Sequence, residues 1–198
     1  MTDTAAQDSS TLRSAVATAT GGRGIALIRP VIGTTQPTLA AVRIVHGEAV
    51  FSETLAATEP GGDSTVARNA AWPAGSAPTY LPQKHGQLAS THEAISHVVS
   101  VLTEQAIGSF QGEGLGLRLP DAAQVATPFD VVVAPTSGGR ATLRLLDADS
   151  GRQLDRKTPI SREGRLTAQF TVCEPGLYRI SASGGAFSPV EELLVVLP

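Results

Sequence analysis

Cysteine is almost missing from this chain: Cys173 stands alone among 198 residues. One thiol excludes an intrachain disulfide and a cysteine-based zinc site. It suits a reducing compartment, so a cytoplasmic location is expected. A strong charge imbalance is missing too. The formal net charge is -3 and the pI about 5.8, which leaves no electrostatic footprint for nucleic acid or an anionic membrane. No apolar run approaches the ~18 residues of a membrane span. The opening Met1-Thr2-Asp3-Thr4 lacks the basic and apolar segments of a signal peptide. The glycines of Thr20-Gly21-Gly22-Arg23-Gly24 are not followed by Lys-Ser/Thr, so they read as a turn rather than a phosphate loop. His92 and His97 are five apart, whereas a metal shared along a helix wants i, i+4. No metal or cofactor is expected. Finally, G-x-S-x-G occurs nowhere. That excludes the usual elbow presenting a nucleophilic serine.

What is present is ordinary globular composition, 41% hydrophobic and 17% charged, with room for one or two domains. Residues 11–18 predict a short helix capped by Ser9 or Ser10, after a disordered start over 1–10. Residues 25–28 predict a short strand stopped at Arg29-Pro30, and the stretch to Gln36 reads as a remnant of a lid or cap. Residues 39–45 are near-continuously apolar, which predicts a core strand covered on both faces. Residues 49–52 and 54–57 predict a small hairpin. Glu59-Pro60-Gly61-Gly62 is a strong turn signal.

The chemistry concentrates just after that turn. Gly61-Gly62-Asp63-Ser64-Thr65-Val66 places a carboxylate on a Gly-rich turn, and Lys84-His85-Gly86 places an imidazole in a loop 22 residues later. Taken alone, Asp63 reads as a turn cap bonding the backbone two residues on. Its place after an apolar strand and before a His-Gly pair points to a carboxylate–imidazole partnership. Glu53 and Glu59 are alternative acids. His46 reads as a strand-end histidine. Trp72 either lines a pocket or packs under the loop. Behind His85 a helix is signalled, with Ser90 as N-cap and Glu93 at N3 in a capping box. Ile95, Val98, Val99 and Leu102 follow at helical spacing, which predicts one buried face, with His92 and His97 partly exposed.

These residues resemble the C-terminal part of lecithin:cholesterol acyltransferase-like and lipase-like α/β-hydrolases. The resemblance runs through Val42-Arg43-Ile44-Val45-His46-Gly47, Gly62-Asp63-Ser64-Thr65-Val66, Thr79-Tyr80-Leu81 and His85-Gly86-Gln87-Leu88, covering about residues 40–107. Ser64 stands where that family often has Gly, and Ala67 where it often has Pro. The resemblance implies an α/β portion over 1–107, with catalytic residues Asp63 as triad acid and His85 as general base, and an acyl-ester or lipid substrate. The nucleophile would come from an upstream segment, and the chain alone would be inactive.

Gly108-Ser109-Phe110-Gln111-Gly112-Glu113-Gly114 reads as a flexible linker over 108–114. Beyond it the pattern changes to short β runs at 115–119, 129–134, 141–146, 166–172, 177–182 and 193–197, separated by turns such as Ser137-Gly138-Gly139. That rhythm predicts an antiparallel sandwich over 115–198. Glu174-Pro175-Gly176-Leu177-Tyr178 resembles a strand entry of immunoglobulin-like and fibronectin-like domains, with Tyr178 bracing the corner through its hydroxyl. Cys173 is expected as a small buried residue. Two functions compete. One is an acyl-ester hydrolase or acyltransferase portion. The other is a non-catalytic adaptor in which the β-sandwich binds a protein partner.

Overall fold

A computed structural model describes residues 11, 14, 15, 28–71, 76–105, 114–135, 140–161, 164–184 and 188–198. Residues 25–27 of the expected strand at 25–28, Trp72, the turn at 137–139, most of the Gly-rich linker and all of 1–10 lie outside the described residues. So does most of the expected helix at 11–18.

The C-terminal half folds because its strands alternate. In Leu166–Phe170 (β10), Leu166, Ala168 and Phe170 are buried while Thr167 and Gln169 are exposed. That is the period of two that puts one face of a strand into a core. β10 pairs antiparallel with Phe129–Pro135 (β7), and β7 pairs antiparallel with Leu115–Arg118 (β5). The facing sheet runs in the order Ala122–Gln124 (β6), Val190–Leu197 (β12), Gly176–Ser183 (β11), Thr142–Asp147 (β8) and Gln153–Lys157 (β9). All its pairs are antiparallel except β12 with β6. One continuous apolar core lies between the sheets, from Leu117, Val131 and Phe170 on one side to Leu143, Ile180 and Leu194 on the other. Phe129 and Phe170 stack with centroids 6.2 Å apart. This is a β-sandwich. The Tyr178 hydroxyl donates to the Glu174 carbonyl at 2.9 Å, bracing the corner as its position suggests. Cys173 departs from expectation: it is exposed, because it lies in the bend before β11 rather than in a strand.

The N-terminal half is built differently. Val31–Gly33 (β1) pairs in parallel with Thr79–Leu81 (β4). The Thr79 amide donates to the Pro30 carbonyl and the Thr34 amide to the Leu81 carbonyl. With that register, the backbone of Ile32 faces β4 while the amides and carbonyls of Val31 and Gly33 face away. No described strand pairs with that far edge of β1. The expected core strand at 39–45 is corrected. Ala41–Val45 (β2) forms an outlying hairpin with Glu48–Ser52 (β3), turning at His46 and Gly47. Val42, Ile44 and Phe51 are 48%, 57% and 62% exposed. Near-continuous apolarity marked a strand there, but the hairpin is a two-stranded sheet of its own that joins no other described strand.

Two helices follow β4: His85–Leu88 (α1) and His92–Leu102 (α2). Four expectations for α2 are corrected. Its cap is Thr91, whose Oγ1 accepts from the Ala94 amide at 3.2 Å, and Ser90 instead donates to the Gln87 carbonyl. Glu93 does not close a capping box. Its carboxylate accepts from the amide and hydroxyl of Ser188, at 2.8 and 2.7 Å. The residues α2 buries are Ala94 and His97, while Ile95, Val98, Val99 and Leu102 are all at least half exposed. The helical period is real, but the helix rests on its narrow side. His97 turns inward to within 3.4 Å of the Thr79 hydroxyl, correcting its expected surface position. Burial, with Arg29 nearby, lowers its pKa, which favours the neutral ring.

Candidate functional site

The acid loop leaves β1 through Thr34-Thr35-Gln36-Pro37-Thr38, makes the hairpin excursion, and returns at Gly61-Gly62. Asp63 then packs directly on Gly33. A Cβ at Gly33 would collide with the Asp63 side chain and with the Gln83 carbonyl, so only glycine permits this approach. The loop turns tightly after Asp63. Ser64 adopts a left-handed φ of 76°, where a side chain is strained.

Asp63 uses both carboxylate oxygens. Oδ1 accepts from the amides of Thr65 and Val66, at 3.0 and 2.7 Å, which is the turn-capping role open to it from sequence. Oδ2 lies 2.7 Å from Nδ1 of His85. The two loops are tied a second time by the His85 amide, which donates to the Asp63 carbonyl at 2.8 Å. Burial opposes charge on Asp63. The Val66 amide, the His85 ring and the Thr65 amide favour it and hold the pKa below the ordinary carboxylate value. An ionised carboxylate only accepts, so Nδ1 of His85 carries the hydrogen. In the neutral ring Nε2 then keeps its lone pair. The Asp63 side chain is 8% exposed and the His85 side chain 58%.

His85 opens onto a cleft of about 600 Å³. Its walls are Val31, Ile32 and Gly33 from β1, Val66 and Ala71 from the acid loop, Leu88 and Ala89 after His85, and Ala94, Ile95, Val98 and Val99 from α2. Among the described residues, Asp63 and His85 are the titratable ones that line it. The exposed apolar face of α2 is therefore one wall of this cleft. Beyond the cleft, the Arg68 guanidinium lies 4.3 Å from the centre of the Tyr80 ring, pinning the exit of the acid loop to β4.

The other candidates sit elsewhere. Glu53 is engaged by Arg118, and Glu59 is exposed. His46 is at the hairpin turn and His92 on the outer side of α2, where its Nε2 approaches Ser96. Among the described residues no group of His, Cys, Asp and Glu is arranged to hold a metal ion.

Sequence reasoning missed the polar residues behind the pair. Gln36 and Gln83 are buried, and Thr38 bridges from the Gln36 carbonyl to the Ser64 amide, at 2.9 Å on each side. A buried amide belongs to no motif. The available signal was Gln and Thr in an otherwise apolar or turn-like stretch.

No protein-family model matches the chain. No curated protein matches it either. Among solved structures it is similar to a superoxide reductase (neelaredoxin) from Ignicoccus hospitalis, at 14% identity over 42% of this chain and 80% of that one, with a TM-score of 0.32. It is similar to a CARDB domain from Pyrococcus furiosus, solved with di-metal ions, at 20% identity over 44% of this chain and 91% of that one, with a TM-score of 0.31. A biofilm-associated protein BSP domain aligns at 15% identity over 42% of this chain and 15% of that one, with a TM-score of 0.35. Such scores establish neither family nor activity. The sandwich assignment rests on its register and core.

Proposed function

We propose that Asp63 and His85 are the acid–base arm of a serine hydrolase or acyltransferase acting on an acyl ester, with the nucleophile carried by a polypeptide segment outside this chain. The observation that carries this is the 2.7 Å contact between Asp63 Oδ2 and His85 Nδ1 at the mouth of an apolar cleft. In the reaction, Nε2 of His85 takes the proton of the attacking hydroxyl and later returns it to the leaving alcohol. Asp63 holds the ring in the required tautomer and stabilises the imidazolium. The apolar cleft suits an acyl chain, and a lipid ester is the substrate class that uses it best. The α/β-hydrolase resemblance supports the same roles.

The experiment pairs this chain with the polypeptide encoded immediately upstream of its reading frame and follows p-nitrophenyl butyrate hydrolysis. Activity is expected in the mixture and not in this chain alone. His85→Ala should remove nearly all of it, and Asp63→Asn should cost on the order of 10⁴ in turnover. A mixture whose serines resist a fluorophosphonate probe, or one equally active with His85→Ala, refutes the reading.

A second reading has its own observation. Leu177, Leu193, Val195 and Leu197 are 40–53% exposed, and all lie on β11 and β12 at alternate positions, away from the core. Such a stripe suits a protein partner of a non-catalytic adaptor. Under that reading Leu193→Ser and Val195→Ser abolish partner binding, whereas His85→Ala changes nothing.

A further inference from the structure

We propose that Gln36 and Gln83 are positioning residues through which the β-sandwich sets the Asp63–His85 pair. The sandwich is then part of the site's scaffold rather than an appended module. What the pair does chemically rests on the reading above. The coupling itself does not.

The acid side is held first. Nε2 of Gln36 donates to the Leu115 carbonyl at 2.8 Å, and its Oε1 accepts from the Leu117 amide at 3.1 Å. These are two bonds that a neighbouring strand would make along the outer edge of β5. Gln36 is 1% exposed, so its amide has no water to fall back on. The same residue grips the acid loop through its backbone. Its amide donates to the Gly62 carbonyl at 3.0 Å, and its carbonyl is joined through Thr38 to the Ser64 amide. Both neighbours of Asp63 are thus hung from a residue whose side chain is docked in the sandwich. The fit leaves no slack: a Cβ on Gly116 would stand 2.5 Å from the Thr35 carbonyl.

The histidine side is held independently. Nε2 of Gln83 donates to the Pro189 carbonyl at 3.0 Å, at the entry to β12, and its Oε1 accepts from the Lys84 amide at 3.1 Å. Lys84 also forms an ion pair with Glu192 on β12. Lys84 immediately precedes His85, so the position of α1 is fixed from the sandwich. One loop of the pair hangs from β5 and the other from β12. β5 and β12 belong to opposite sheets of one rigid core, which therefore fixes the separation of the two loops.

The test reads the pair, not catalysis, so it stands apart from the hydrolase reading. The His85 Nδ1 proton bonded to Asp63 gives a downfield ¹H resonance, assigned by its loss in Asp63→Asn. Gln36→Leu and Gln83→Leu are expected to shift or abolish that resonance. Each should also speed hydrogen exchange of the His85 amide by about tenfold to a hundredfold, while the amides of β7 and β10 keep their protection. An unmoved resonance and unchanged His85 exchange in both variants, with the sandwich intact, overturn the proposal. Should either variant fail to fold, the unmodified chain decides. The Leu117 amide, bonded to Gln36, and the His85 amide are expected to lose protection along one denaturant curve. Loss of His85 protection in a separate, earlier step overturns the coupling.

Discussion

The two halves of this protein bury opposite kinds of residue. Nineteen buried apolar residues form the sandwich core, whereas the described N-terminal residues bury only Ile32, Leu81, Pro82 and Ala94 of theirs. The polar list is reversed. Thr34, Gln36, Thr38, Asp63, Gln83, Lys84, Thr91 and His97 are all buried in the N-terminal half, against Ser181 alone among the described residues of the sandwich. The sandwich is held by the hydrophobic effect, which tolerates small displacements. The N-terminal half is held by directional hydrogen bonds, which do not. A site that must fix a carboxylate against a ring nitrogen benefits from the second kind of cohesion. It then needs a body of the first kind to lean on.

The most severe way to break this contrast is to separate the halves. Residues 115–198 alone are expected to give a dispersed NMR spectrum and cooperative melting. Residues 28–105 alone are expected to lack both. Cleavage in the Gly-rich stretch at 108–114 should leave two pieces that still co-elute, because Gln36, Gln83 and Glu93 bridge them. A folded 28–105 fragment would remove the asymmetry.

Next in size is the core itself. Phe170 is fully buried, and Phe170→Ala should cost about 3–5 kcal/mol in denaturant melts. Phe51 is 62% exposed on the hairpin, and Phe51→Ala should fall within about 0.5 kcal/mol. Equal costs would mean that the hairpin is covered.

Acid should act on the polar half first. The folded-state pKa of Asp63 is lowered, so its stabilising contribution is complete above the ordinary carboxylate value. That contribution fades as pH falls through the lowered one. Glu93 behaves alike: burial opposes its charge, but the bonds from Ser188 outweigh that. Stability measured against pH should therefore fall in acid, and Asp63→Asn should flatten part of the fall. An unchanged slope in that variant contradicts the bonding described at Asp63.

The smallest expected effect has the opposite sign. Ser64→Gly removes the cost of a side chain at left-handed φ and should stabilise the acid loop by about 1 kcal/mol. Destabilisation would show that the Ser64 side chain contributes something its backbone does not reveal.

Much of the sandwich was legible because alternation survives in its strands. β6 and β9 were not, since Ala122-Ala123-Gln124 is short and Gln153-Leu154-Asp155-Arg156-Lys157 carries its charges on an edge. In the N-terminal half apolarity misled. The run at 39–45 supplies one strand of an exposed hairpin, while the buried strand is Val31-Ile32-Gly33, inside the stretch that reads from sequence as a lid or cap remnant. Asp63 and His85 were legible as a pair through the resemblance carried by Gly62-Asp63-Ser64-Thr65-Val66 and His85-Gly86-Gln87-Leu88, and the fold joins them at 2.7 Å between Oδ2 and Nδ1. Gln36 and Gln83 were not. A clamp made of side-chain amides depends on which distant carbonyl lies opposite, and no local pattern encodes that.

The open side of β1 carries a consequence for the life of the protein in a cell. A parallel strand with one edge that no described strand pairs, beside a helix face of Ile95, Val98 and Val99, has the surface that quality-control machinery recognises as unfinished. Copies made in excess of whatever covers that edge would be held by chaperones, cleared by proteases or lost to self-association. Were a partner to cover that edge, abundance would be set by its supply rather than by the rate of synthesis. The sandwich, which closes its own core, would be the piece that survives such clearance longest.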